Sequence, residues 1–295
     1  MKPARFDYVR AESIAHAVEV LAGAGGDGKI LAGGQSLMPM MNFRLVKPSV
    51  LVDINRIAGL DRMEQRGNRL LLGALVRHRM TAQDPLVARH IPVLHHAMKH
   101  VAHLTVRNRG TFCGSVCHAD PAAEMPMMTL LLDGLVHIAA PRGARTLPAR
   151  DFFLGSLVTA LAPDELVTGI ELEVPAPGTG WGFEEFARRH GDYALAAVAV
   201  TLRREGGRMR DVRIAVMGVA DRPLRLEAVE AALEGQEGGG VAIGEAVERL
   251  KASVTPNSDL NASADYRRHL VSVLARRALA AAWDRAEIPA GEIAA

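Results

Sequence analysis

Two stretches of this chain place backbone amides and hydroxyls where they can hold an anion. In Ala32-Gly33-Gly34-Gln35-Ser36, adjacent glycines let the backbone turn with its amides facing one hollow, and no Cβ keeps a phosphate away. Ser36 adds a hydroxyl donor; a tight turn with a merely solvated serine is the alternative. The second stretch runs from Arg107 to Glu124. It offers Gly110 and Gly114, the hydroxyls of Thr111 and Ser115, and then Asp120 and Glu124, whose carboxylates can accept from sugar hydroxyls. Two anion cradles followed by a carboxylate suit a dinucleotide, with a pyrophosphate in the middle and polyol on either side.

Other patterns carry less. Gly23-Ala24-Gly25-Gly26-Asp27-Gly28 spells the dinucleotide fingerprint, but that fingerprint needs a strand before it and a helix after it. Here a helical pattern precedes and a strand-like piece follows, so a helix-ending turn is expected. His96, His100 and His103 stand at i, i+4 and i+7, which lines up three imidazoles if one helix spans them. No nearby carboxylate or cysteine pattern completes a closed metal site; a solvated or partner-facing surface, with no metal, is the expectation. Cys113 and Cys117 are the two cysteines of the chain, too few for the four thiolates of an iron–sulfur cluster. His118 offers either a structural hydrogen bond within its loop or a proton-transfer group. No Ser–His–Asp or Cys–His arrangement has local support.

The elements that must position these groups can be read from periodicity. Ser13 is a plausible N-cap, and Ile14, Ala17, Val18 and Leu21 follow at helical spacing. Residues 50–54, 69–72, 135–140 and 166–174 read as strands, and 124–132 as a helix. Residues 86–103 suit helical structure with Pro92 near a helix start, and 105–121 read as a loop. Pro175 to Gly180 is a proline–glycine linker. Beyond it, 194–202 and 211–219 read as paired strands around a Glu205-Gly206-Gly207 turn, forming a half-buried sheet. Helices at 224–233 and 266–282 follow. Strands and helices mix without strict alternation, so the fold class is α+β.

Composition sets outer bounds. The chain has 295 residues, 49% apolar and 23% charged, enough for two ordinary domains. Its longest apolar run, residues 194–202, falls far short of the roughly 18 that a membrane-spanning helix needs. The N-terminus lacks the apolar core of a secretion signal, and the net charge of +2 comes with no basic stripe. A cytoplasmic protein with no membrane span and no nucleic-acid partner is expected.

Four segments carry a closer likeness. AGGQSLMPMMNFRLVKPSVLVDI (32–54) and TVRNRGTFCGSVCHADPAAEMPMM (105–128) resemble the two FAD-binding segments of the medium subunit of carbon monoxide dehydrogenase and related molybdenum hydroxylases, a module that xanthine dehydrogenase carries within its chain. RRHGDYALAAVAV (188–200) and DYRRHLVSVLARRAL (265–279) are similar to segments of the family's C-terminal flavoprotein domain. The resemblance covers nearly the whole chain. It implies a two-part FAD-binding domain of the vanillyl-alcohol-oxidase (PCMH-like) type at 1–176, with lobes at about 1–56 and 57–176, followed by a smaller sheet-plus-helices domain at 177–295.

Carried over residue by residue, the resemblance implies that Ala32, Gly33, Gly34, Gln35 and Ser36 grip the FAD pyrophosphate, with Leu31 leading into the grip. Thr111, Gly114 and Ser115 form the second grip, with Cys113 and His118 in the same segment. Glu124 falls by the flavin's polyol chain, Val167 packs near the flavin, Tyr193 lies by the isoalloxazine ring, and Val101 completes the set. In one respect the sequence departs from the family: Cys113 stands where a glycine is usual. A side chain is tolerated there only if φ is negative and Cβ points away from the phosphates. The thiol could react with flavin or oxidant, or be a small buried residue.

The function this implies is electron relay. A large molybdopterin subunit hydroxylates the substrate, a small [2Fe–2S] subunit carries electrons to this chain, and FAD passes them to NAD, a quinone or oxygen, within a dimer of heterotrimers. A self-sufficient flavin-dependent oxidase or reductase is the alternative, and a non-catalytic nucleotide-binding module a second one.

Overall fold

The structure, a computed structural model, describes residues 1–286. Its first lobe runs β1 (Asp7–Arg10), α1 (Ile14–Gly23), β2 (Gly28–Leu31), α2 (Leu37–Asn42) and β3 (Val50–Asp53). The strands form a small parallel sheet ordered β1-β3-β2, with α1 packed against it through Ala17, Val18 and Leu21. Ser13 Oγ accepts from His16 N at 3.1 Å and starts that helix. Gly25 and Gly26, at φ +59° and +98°, end it in a left-handed turn that hands over to β2. The fingerprint-like glycines therefore close a helix and open none.

The second lobe contains β4 (Met63–Arg66), β5 (Arg69–Gly73), α3 (His78–Gln83), α4 (Pro85–His90), α5 (Pro92–Ala97), α6 (Leu104–Arg109), α7 (Phe112–His118), α8 (Glu124–Leu131), β6 (Leu135–Ala140), β7 (Gly143–Pro148), the hairpin β8 (Phe153–Gly155) and β9 (Val158–Thr159), and β10 (Leu166–Glu173). An antiparallel sheet ordered β4-β5-β10-β6-β7 backs the helices. Two expectations are refined here. The helical reading of 86–103 holds as two short helices, α4 and α5, with Pro92 at the first position of the second as expected, since a proline there cannot continue the preceding turn; α5 ends at Ala97, so 98–103 are not helical. The loop over 105–121 is instead two short helices joined at Gly110, the second capped by Thr111, whose Oγ1 accepts from Gly114 N at 3.0 Å.

The last part runs β11 (Gly180–Phe186), β12 (Ala196–Glu205), β13 (Arg208–Met217), β14 (Leu224–Arg225), α9 (Glu227–Leu233), α10 (Gly240–Ser253) and α11 (Ala264–Arg285). The expected helix over 224–233 begins with a two-residue strand. The four strands form an antiparallel sheet in chain order, and the turn at Gly206 and Gly207 joins β12 to β13 with both glycines at positive φ. This sheet is not half-buried. Val198, Val200, Leu202, Ile214 and Val216 pack beneath the C-terminal helices, while Phe183, Ala197, Ala199, Ala215 and Met217 join the core of the second lobe. Alternation along a strand sends successive side chains to opposite faces, and here each face meets a different core. Gly182 lets α11 lie directly on β11, since a Cβ there would overlap the backbone of Ala278. Among the described residues no helix is long and apolar enough to cross a membrane.

Candidate functional site

The two anion-cradling turns meet. Residues 32–36 leave the end of β2, residues 109–111 link α6 to α7, and the backbones touch: a Cβ on Gly33 would lie 2.6 Å from Arg109 O and 2.7 Å from Gly110 Cα. Contacts that short do not occur between ordinary residues, so the approach requires glycine. Gly34 has φ +72°, a left-handed conformation that glycine adopts without strain. Among the described residues, the backbone N–H groups of Gly33, Gly34, Gln35 and Ser36 find no acceptor, although the Gln35 side chain donates to Gly33 O at 3.1 Å. The Ser36 hydroxyl precedes α2 without capping it and is likewise available. Four consecutive unsatisfied amides at a glycine turn are what an anion would satisfy.

Residues not singled out by the sequence hold this junction from behind. Asn55 Nδ2 donates to Ala32 O at 2.9 Å and to Leu31 O at 3.3 Å. Its Oδ1 accepts from Arg77 Nη2 at 2.5 Å, and Arg77 Nη1 donates to Arg109 O. One amide and one guanidinium thus tie the first turn to the second. Asp53 Oδ1 orients Asn55 through its backbone N–H and Nδ2, at 2.8 and 2.7 Å, and Asp53 Oδ2 accepts from Tyr8 Oη at 2.5 Å. Burial opposes ionisation of Asp53, yet the Tyr8 and Asn55 donors outweigh it and hold the carboxyl below its usual range. His78 fills the space under Gly110: its backbone N–H donates to Gly110 O at 3.0 Å, and a Cβ on Gly110 would fall 2.8 Å from its ring. Burial, with Arg107 and Arg77 nearby, pushes His78 down to about 4. No local pattern ties Asn55, Arg77 or His78 to the two turns, because their partners there are 22 to 32 residues away.

The remaining candidates divide. Gly114 supplies clearance, since a Cβ there would stand 2.5 Å from Thr111 Oγ1. Cys113 is helical and absent from the residues at positive φ, so the turn is undistorted. Its side chain is buried in the core, with Sγ 3.6 Å from Leu72 O and 3.7 Å from Gly73 O. Burial pushes this thiol well above its ordinary range, and that of Cys117 up to about 12. The side chain of Cys113 therefore lies in the core, and of its two readings the structure supports the small buried residue: a thiolate is the reactive form, and burial withholds it. Val101 is also core, although its carbonyl accepts from Arg107 Nη1 at 2.8 Å. Val167 is buried at a bulge of β10.

His118, half-buried with its basicity lowered by burial, ends α7 beside Asp120. Glu124 opens α8, and burial pushes its carboxyl up to about 7. Tyr193, 65% exposed, comes from the turn before β12. The three histidines do not share a helix face: His96 and His100 have ring centroids 5.5 Å apart, whereas the His103 ring lies against Gly191. Among the described residues no three metal-ligating side chains gather.

Comparison with known proteins places this geometry. Residues 4–177 match the FAD binding domain in molybdopterin dehydrogenase, and residues 181–282 the CO dehydrogenase flavoprotein C-terminal domain. The chain is an FAD-binding medium subunit of the molybdenum hydroxylase family. This flavoprotein subunit is 41% identical to the nicotine 6-hydroxylase medium subunit of Paenarthrobacter nicotinovorans, covering 97% of the chain and all of the relative. It superposes with a TM-score of 0.95, at 39% identity, on carbon monoxide dehydrogenase from Hydrogenophaga pseudoflava, over 97% of this chain and 100% of that one. Quinoline 2-oxidoreductase from Pseudomonas putida 86 gives 0.92 at 38% identity, over 97% and 99%. The flavoprotein subunit is thus part of an oxidoreductase.

Proposed function

We propose that this subunit holds FAD across the junction of its two turns and relays electrons from a small [2Fe–2S] subunit to an external acceptor. Its molybdopterin partner would hydroxylate the substrate, in an assembly that is a dimer of heterotrimers. The observation that carries the proposal is the contact between the Gly33 turn and the Arg109–Thr111 turn beside four unsatisfied amides. Bound FAD would supply the electron-transfer chemistry, for which the chain has no side-chain substitute. The protein's part is to bind and orient. The amides of residues 33–36 and the Ser36 hydroxyl would hold the pyrophosphate. The Thr111 hydroxyl, already accepting from Gly114 N, has its own proton to donate, and Ser115 adds another hydroxyl. Glu124 would accept from the polyol, and Tyr193 would cover the isoalloxazine.

The two cysteines are free thiols, Cys113 buried and Cys117 half-buried, and two thiolates are too few for an iron–sulfur cluster, in keeping with one housed elsewhere. NAD, a quinone or oxygen would serve as acceptor, and substrate choice would reside on the molybdenum subunit. A FAD-binding domain at 1–176, with lobes at about 1–56 and 57–176, would precede the C-terminal domain at 177–295; the family matches at 4–177 and 181–282 support the boundary between the two domains. The purified chain should take up FAD, and its flavin should be reduced by the complex's substrate only when the iron–sulfur and molybdenum subunits are both added. An isolated chain that turns substrate over by itself would make it a self-sufficient oxidase or reductase instead.

A further inference from the structure

A buried arginine of the C-terminal part reaches toward the flavin segment. Arg267, in the first turn of α11, is 7% exposed. Its Nη1 donates to Leu195 O at 2.6 Å and to Gly218 O at 3.1 Å, and its Nη2 to Asp259 Oδ2 at 2.8 Å. Asp259 is fixed in turn, since its Oδ1 accepts from Asn261 N and Ala262 N at 2.8 and 2.9 Å. A charge taken out of water must find partners. Asp259 supplies the opposite charge, and the other two acceptors are backbone carbonyls from separate segments.

Both carbonyls lead to the flavin site. Leu195 closes the loop between β11 and β12, where its N–H donates to Phe186 O at 2.8 Å. Tyr193 stands two residues earlier with its ring exposed, whereas Ala194 and Leu195 are buried. The loop is held elsewhere too. Arg188 donates to Asn261 O, and Gly191 packs so closely on His103 that a Cβ there would lie 2.5 Å from the ring. Gly218 follows β13 at φ +75°, and a Cβ on it would fall 2.7 Å from Leu195 O, so the two backbones are in contact. The Gly218 N–H crosses to the second lobe and donates to Pro121 O at 2.8 Å. Pro121 sits in a turn shaped by Asp120, whose Oδ1 accepts from Ala122 N at 2.8 Å and whose carbonyl accepts from Ala123 N at 3.1 Å. That turn delivers Glu124 to the head of α8. One guanidinium thus joins the loop bearing Tyr193 to the segment bearing Glu124, through hydrogen bonds none longer than 3.1 Å.

We propose that Arg267 is a positioning residue for the flavin: it locks the Tyr193 loop to the Pro121 turn and so fixes the Tyr193 ring over the isoalloxazine without touching the cofactor. This rests on the placement of Tyr193 proposed above. The pyrophosphate grip at residues 33–36 is built from other segments, so loss of Arg267 should alter the surroundings of the flavin ring far more than FAD uptake. Lysine is no substitute, because an ammonium is a point charge whereas the guanidinium presents its donors in a fixed fork.

Fluorine NMR of the full chain carrying fluorotyrosine reads this linkage, since there are three tyrosines and Tyr193→Phe assigns the signal of interest. In wild type, added FAD should shift the Tyr193 resonance. In Arg267→Lys that shift should be lost and flavin fluorescence should rise, because a phenol held against the ring quenches its emission, while FAD affinity stays within about threefold of wild type. Asp259→Asn, at a half-exposed carboxylate, should weaken the shift in the same direction. A Tyr193 shift of wild-type size in Arg267→Lys overturns the proposal, whatever the denaturation midpoint; should that variant not fold, the same result in Asp259→Asn overturns it. FAD that binds wild type and leaves the Tyr193 resonance unmoved removes Tyr193 from the ring, and the role of Arg267 with it, but spares the pyrophosphate grip. A chain that takes up no FAD refutes the function proposed above and this role together.

Discussion

At the residue scale the site depends on atoms that are missing. Gly33 carries no Cβ because one would enter the backbone of the opposing turn. Gly33→Ala should therefore separate the turns at a cost of about 1–3 kcal/mol, weakening FAD binding by roughly 10- to 100-fold. Flavin fluorescence titration measures this, and an alanine variant with wild-type affinity would show that the contact does not form the site. Cys113 presents the opposite case, a side chain admitted because it turns inward. Both thiols should resist a thiol-labelling reagent in the folded chain and react once it is unfolded in urea. Labelling of native Cys113 at an ordinary rate would restore the redox reading. Cys113→Ser should leave the flavin spectrum unchanged, since the side chain does not reach the turn.

At the element scale, short pieces matter more than long ones. Asn55 follows β3 and Arg77 precedes α3, and between them they hold the carbonyls of three residues in two different turns. Asn55→Ala leaves the Leu31 and Ala32 carbonyls without this donor and the Arg77 guanidinium without one acceptor. A loss of about 1–3 kcal/mol is expected, appearing both as weaker FAD affinity and as a lower denaturation midpoint. If only the midpoint falls, the brace stabilises the fold without shaping the turn. These elements also show where pattern reading stopped. The helix starting after Ser13 was legible from its cap and its apolar spacing, and most long strands were legible from aliphatic runs. The helix start at Pro92 was legible from the proline itself, whereas the end of that helix at Ala97 carries no local breaker. The helices at 104–118 were hidden because their glycines and polar residues serve a turn and a cap, and those uses resemble loop composition.

At the scale of the whole molecule, the C-terminal sheet is shared between two cores, so the flavin lobe and the C-terminal part should unfold together. Gly182→Val should lift α11 from β11 and destabilise the flavin lobe as well; loss of the C-terminal helices with FAD binding intact would show the two to be independent. The buried acids make stability depend on pH. Glu124 and Glu185 are raised from 4.5 to about 7 and about 8. Between about 4.5 and those values the folded state retains protons that the unfolded chain has released, so stability falls as pH rises through that window and levels off above it. The slope is at most about 1.4 kcal/mol per pH unit for each retained proton. Urea denaturation at pH 6 and pH 9 should show wild-type losing stability and Glu185→Gln losing less.

The sequence by itself determined the chemistry on offer: two glycine turns with hydroxyls, a following carboxylate, too few cysteines for a cluster, and a mixed fold whose strands and capped helices announce themselves over a few residues. Those features are local, because turn geometry, capping and side-chain alternation are decided within one or two turns of chain. Tertiary structure alone decided that the two turns touch, that Asn55 and Arg77 bind them together, that Cys113 faces the core, and that Glu185 is buried beside His100. Each of these joins residues far apart in sequence, and burial, which sets their charge, is a property of the packed molecule that no single segment encodes.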